Sequence, residues 1–135
     1  MAVFEKLGTY KNFGLLVIRI GLGIMFIYHG VPKLSGGPDH WEKLGGAMKV
    51  VGISYAPAFW GFMAAVTETF GGLLLMIGLV FRPVCILLII NLSIAGLMQF
   101  SKGGALEAAA HAIEDGIVFL GLLFIGPGLY SVDKK

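Results

Sequence analysis

An all-α fold is predicted here, an integral membrane four-helix bundle with a short interfacial helix between the first and second spans. Three observations predict it. Hydrophobic residues make up 57% of the 135 and charged residues only 13%, against about 25% charged in soluble domains. The apolar residues gather into four runs, at 13–31, 57–80, 83–100 and 108–126, each long enough to cross a hydrocarbon core of roughly 30 Å as a helix. The few charges inside these runs belong where helices face one another, not lipid. A single domain over residues 1–135 accommodates all four.

Met1 to Asn12 forms a short polar arm, with Lys6 and Lys11 flanking the first span. Phe13 to Val31 makes the crossing, and Pro32 marks its end. The run lacks a cleavage pattern and is followed by three more, so it is expected to be retained. Arg19 lies about one turn inside it, while His29 and Lys33 share one face near its exit. A charge at such depth costs roughly 2.5–3.5 kcal/mol on insertion scales. Arg19 is therefore expected to face protein and to find carboxylate partners on other helices.

From Ser35 to Ala56 the chain turns polar, opening with Gly-Gly-Pro-Asp and spacing Trp41, Leu44, Met48 and Val51 by three and four. This pattern suits a short helix in the interface, with Trp41 at headgroup level and Lys43 and Lys49 reaching water. A folded loop capping the bundle satisfies it equally.

Pro57 opens the second run where its missing N–H is harmless, and Glu68 alone interrupts it before Val80. Gly61, Ala64, Ala65, Gly71 and Gly72 stripe the same side as Glu68, as where another helix packs closely. Glu68 is thus expected to face the bundle. Phe81-Arg82-Pro83 reads as a tight turn into the third span, whose polar residues are Asn91, Ser93 and Gln99. Asn91 and Ser93 are expected to bond across helices. Ser101 to Glu107 connects to the fourth span, Ala108 to Gly126, which carries His111, Glu114 and Asp115 near its start.

Four spans place both termini on one side. Lys6, Lys11, Arg82, Lys134 and Lys135 lie on that side, against Lys33, Lys43, Lys49 and Lys102 on the other. The bias predicts cytoplasmic termini in an inner (plasma) membrane.

In this topology His29, Gln99, His111, Glu114 and Asp115 approach one membrane face. Glu68, about 16 Å along its helix at 1.5 Å per residue, reaches that cluster or pairs with Arg19. A polar pocket lined by His29, Glu68, Gln99, His111 and Glu114 suits a quinone or phenol. Its carbonyl oxygens need donors, and its reduction needs a proton relay of the kind histidine and carboxylate provide. The catalytic candidates are His29, Glu68, His111 and Glu114; the substrate-binding candidates are Arg19, Lys33, Gln99 and Asp115. The same groups also suit a structural role as buried ion pairs holding four helices together.

Other chemistries are less well served. Cys85 is the only cysteine, which excludes internal disulfides and cysteine clusters. His111-x-x-Glu114 puts two ligand types on one helical face, as in metal-binding bundles, but stands alone; no metal or haem is expected. The net charge of +2 is small and its lysines scattered, so no nucleic-acid surface is expected.

Three groups of residues, in order and spacing, resemble the DoxX family of small four-helix membrane proteins. They are Arg19-Ile-Gly-Leu-Gly with His29-Gly-Val-Pro-Lys33, Glu68-Thr-Phe-Gly-Gly-Leu-Leu-Leu-Met-Ile-Gly-Leu with Arg82, and Glu114 with Gly126-Pro-Gly and Tyr130-Ser-Val-Asp133. The resemblance covers nearly the whole chain; Leu129 stands where the family often has arginine. Members are described as small subunits of quinol oxidase or thiosulfate:quinone oxidoreductase systems, so the resemblance implies a quinone-associated oxidoreductase component. Quinone is then the expected cofactor. A partner subunit would supply electrons, since the chain lacks recognisable flavin, haem or cluster ligation. The expected partners are the lipid bilayer, that redox subunit and further copies of the chain. A small-molecule transporter or binding protein, or a non-catalytic scaffold subunit, are the alternatives.

Overall fold

Apolar runs of this length can satisfy their backbone groups in lipid only by closing them within helices. The computed structural model describes residues 3–104 and 106–135. Met1 and Ala2 of the expected arm, and Ala105 of the expected connection, lie outside these. A short 3-10 segment, Glu5–Tyr10, leads into α1 (Lys11–Ser35), followed by α2 (Gly37–Gly45), a second 3-10 segment (Gly46–Val51), α3 (Pro57–Ile77), α4 (Phe81–Ser101) and α5 (Leu106–Ile125). Four of these, α1, α3, α4 and α5, are long and apolar enough to cross a membrane. The described residues contain no strand.

α1 runs through Pro32 to Ser35 instead of ending there. Neighbouring groups can satisfy the backbone that an intramembrane proline disturbs. Here the Trp41 indole N–H donates to the Lys33 and Leu34 carbonyls at 3.1 and 3.2 Å, covering orphan acceptors at the helix end. Trp41 is half-buried on Phe62, ring centroids 4.9 Å apart. It therefore fastens α2 onto the bundle.

Two close approaches set the packing. A Cβ on Gly23 would stand 2.5 Å from the Gly72 carbonyl oxygen, and one on Gly72 would stand 2.6 Å from that of Gly23. α1 and α3 thus meet backbone to backbone. Likewise a Cβ on Gly61 would overlap the Trp41 carbonyl, so α2 crosses the first turns of α3 in contact. The core of buried side chains includes Phe26, Leu75, Phe81, Leu88, Phe119 and Leu122. Phe26 and Phe119 pack edge to face at 5.3 Å, joining α1 to α5.

α4 begins at Phe81, two residues before Pro83. Gly78, at φ 71°, ends α3 by donating to the Leu74 carbonyl at 2.8 Å, a turn that glycine makes without strain. The Asp133 carboxylate then accepts N–H groups from Val80 at 3.1 Å and Phe81 at 2.7 Å, capping α4 from the far end of the sequence. The tail continues this stitching. Val132 and Asp133 donate to the Ile77 and Gly78 carbonyls at 3.1 and 3.0 Å, Leu129 donates to Asn12 Oδ1 at 3.1 Å, and Arg82 donates to the Leu123 and Lys135 carbonyls at 2.9 and 2.8 Å. Among the described residues, the start of α1 and the C-terminal tail therefore lie together at one end of the bundle, the opposite end from α2.

Candidate functional site

The small residues expected to bring a neighbour close to Glu68 do so. Gly61, Ala65, Gly71 and Gly72 are buried with it, and Glu68 itself is 8% exposed. Lys33 Nζ donates to both its carboxylate oxygens at 2.9 Å. Asn91 Nδ2 donates to Oε1 at 3.2 Å. Three helices thus converge on one carboxylate near the middle of α3. Lysines near the end of a span commonly extend their ammonium toward water; this one turns back into the bundle, where the carboxylate needs a counter-charge.

A second polar group lies between α1 and α5. The His29 and His111 rings face each other at 6.1 Å with planes tilted by 59°, and Tyr28 packs edge-on against His29 at 5.5 Å. His111 Nε2 meets Asp115 Oδ2 at 3.2 Å, the histidine largely exposed and the aspartate largely covered. The backbones of α1 and α5 stay apart, so these rings and the Phe26–Phe119 pair bridge the space between them. His29 lies one turn from Lys33 on α1, which puts the two groups at neighbouring levels.

Three candidates stand elsewhere. Arg19 is 1% exposed at the tail end of the bundle, where it donates to the Met76 carbonyl at 3.3 Å and to the Tyr130 carbonyl. Its expected carboxylate is replaced by backbone oxygens: the C-terminal end of α3 carries orphan carbonyls and a partial negative charge, and the tail brings another. Gln99 is half-buried, eight residues beyond Asn91, or about 12 Å along the helix. Glu114 is exposed on α5 and makes no hydrogen bond or ion pair among the described residues. Of the expected cross-helix amide and hydroxyl, Asn91 bonds across, whereas exposed Ser93 bonds the Ile89 carbonyl of its own helix at 2.8 Å.

Asn91 is the member of this constellation absent from the site candidates drawn from sequence. Its signal was an amide in the middle of an apolar run, a weak one, since such residues serve packing as often as chemistry. Chemically, the cluster offers ammonium and amide donors beside a carboxylate, with His29 one turn back from Lys33 along α1. No three His, Cys, Asp or Glu side chains among the described residues gather closely enough to hold a metal ion. An apolar groove of about 410 Å³, walled by residues such as Leu92, Gly96, Ala112 and Gly116, runs between α4 and α5.

The chain is 28% identical over 137 aligned positions to "Uncharacterized membrane protein Rv3486" of Mycobacterium tuberculosis, covering 89% of this chain and 79% of that protein. It is 32% identical over 79 positions to "Putative oxidoreductase CatD" of Bacillus subtilis, covering 58% of this chain and 54% of that one. No solved structure gives a significant match. The DoxX family profile matches residues 14–100, a stretch that runs from the start of α1 to the end of α4 and contains Arg19, Lys33, Glu68 and Asn91. On that match this membrane protein belongs to the DoxX family.

Proposed function

We propose that the chain is a component of a quinone-linked oxidoreductase and holds a quinone or phenolic headgroup beside the Lys33–Glu68–Asn91 cluster. The observation that carries this reading is a carboxylate near the middle of a membrane helix, 8% exposed, with ammonium and amide donors on it. Ionisable groups at such depth mark ligand or proton pathways by default. Lys33 and Asn91 have N–H groups suited to a carbonyl or phenolic oxygen, and Glu68 can take or return a proton. His29 and His111 extend the proton path toward the opening between α1 and α5, with Asp115 orienting His111. The α4–α5 groove offers room for an apolar tail. Quinone, when bound, supplies the capacity to accept two electrons and two protons; a partner subunit supplies the electrons. The name borne by CatD points the same way.

One feature favours a second reading. Lys33 spans both oxygens of Glu68, which makes the cluster a good clamp between helices in a scaffold subunit with no ligand. An inner-membrane location with cytoplasmic termini belongs to the proposal too. With Lys33 engaged inside the bundle, the free lysines opposite the termini reduce to Lys43, Lys49 and Lys102, which strengthens the positive-inside bias.

The test is to purify the protein in mild detergent, extract it with organic solvent and quantify quinone per chain by mass spectrometry against a mock preparation. Near-stoichiometric quinone, lost in Glu68→Gln and Lys33→Met, is expected. Mock-level quinone on an intact bundle would overturn the reading in favour of the clamp.

A further inference from the structure

α5 is the least covered of the four spans, and its uncovered side is not uniformly apolar. Ile117, Leu120 and Phe124 form an exposed apolar surface suited to lipid. Beside it runs a stripe of different character: His111, Glu114, Val118, Gly121 and Ile125, all exposed. The spacing is three, four, three, four. This is the a/d seam by which parallel helices pack with a small left-handed crossing. Glu114 lies eight residues into the helix, about 12 Å from its start, with no partner among the described residues. A carboxylate facing acyl chains at that depth is strongly disfavoured. Gly121 adds a separate indication. A Cβ there would meet nothing within 4 Å, so the stripe leaves room at this point for a second helix to approach closely.

We propose that two copies of this chain pair through the α5 stripe, about a twofold axis along the membrane normal, with His111 of each facing Glu114 of the partner subunit. The choice of a second copy rests on complementarity within the stripe itself. Asp115 engages His111 Nε2, Nδ1 makes no hydrogen bond among the described residues, and the largely exposed ring leaves it accessible to a partner. In a parallel twofold pair each seam residue faces its own counterpart and those three or four positions away. One proton shared between Nδ1 and the Glu114 carboxyl group then satisfies both, and the symmetry does so twice. His111 is shared with the proton path proposed above, but the cross-linking and energy-transfer readouts need no quinone, so either reading can fail alone.

The test uses the full chain in native membranes with single added cysteines, wild type setting the background because Cys85 is buried. Under mild oxidation, Val118→Cys and Gly121→Cys are expected to give disulfide-linked homodimers, while Ile117→Cys and Phe124→Cys on the lipid side stay monomeric. In liposomes, self-association measured by energy transfer between labelled copies should weaken roughly tenfold in Glu114→Leu, the loss expected for two interhelical polar contacts. Glu114 is exposed and makes no hydrogen bond or ion pair among the described residues, so the fold should survive the change. Cross-linking that is equal on both faces, absent from stripe positions whose thiols react with maleimide, or directed to a different protein would overturn the proposal. So would unchanged self-association in Glu114→Leu.

Discussion

Lys33 Nζ stands 2.9 Å from both carboxylate oxygens of Glu68, across 35 residues of sequence, and so closes the end of α1 onto the middle of α3. Removing one partner leaves the other charged without compensation in a poorly solvated place. Lys33→Met is expected to destabilise the bundle by roughly 2 to 4 kcal/mol, toward the low end because Lys33 is a third exposed. The double variant Lys33→Met with Glu68→Leu should recover most of that loss. Denaturant unfolding in detergent, run as a double-mutant cycle, measures both, and strictly additive losses would contradict the pairing.

Asn91 and Ser93 sit two residues apart in α4, yet only Asn91 bonds another helix. Asn91→Ala should lose about 0.6 kcal/mol, and at most about 1.7 kcal/mol, of stability. Ser93→Ala should be close to neutral. The same unfolding assay separates them; equal effects would argue against the Glu68 contact.

Gly23 and Gly72 admit no Cβ without moving a carbonyl, whereas Gly21, on the outer face of α1, has nothing within 4 Å. Gly23→Ala and Gly72→Ala are each expected to cost about 1 to 3 kcal/mol through overpacking, while Gly21→Ala leaves thermal stability unchanged. A similar response at all three positions would show that α1 and α3 do not meet there.

Asp133→Ala removes the cap on α4 and should cost about 1 kcal/mol. Asp133→Asn keeps one acceptor oxygen and should lose less. Hydrogen exchange reads the cap directly: the Val80 and Phe81 amides should exchange faster in Asp133→Ala, with amides near Asn91 unaffected.

What the sequence made legible followed where residue types contrast with their surroundings. Glu68 faces inward, as its small neighbours Gly61, Ala65 and Gly72 indicated, because close packing leaves a compositional trace. The inward turn of Lys33 left none, since a flexible four-carbon stem reaches either water or a buried carboxylate from the same position. Arg19 was rightly placed against protein, but its acceptors are main-chain oxygens of Met76 and Tyr130, and a carbonyl carries no residue identity to read. The outward face of Glu114 was hidden for another reason. From Gly116 onward α5 is apolar on every side, so that half of the helix gives no contrast between lipid and core. Only the buried positions of Ala109, Phe119 and Leu122 fix its orientation. The end of α1 differs by a few residues because Trp41, donated by the next helix, supports the chain past Pro32.

The cap on α4 has a consequence for the order of synthesis. Asp133 follows Phe81 by 52 positions, so at about 5–20 residues per second the turn between α3 and α4 emerges some 3–10 s before its carboxylate. Tyr130, the source of one Arg19 acceptor, trails that arginine by 111 positions. For much of translation, then, the guanidinium of the first span and the leading amides of the third must be served by water, headgroups or the insertion machinery. The finished arrangement arises as a late, coordinated exchange of those temporary hosts for the tail.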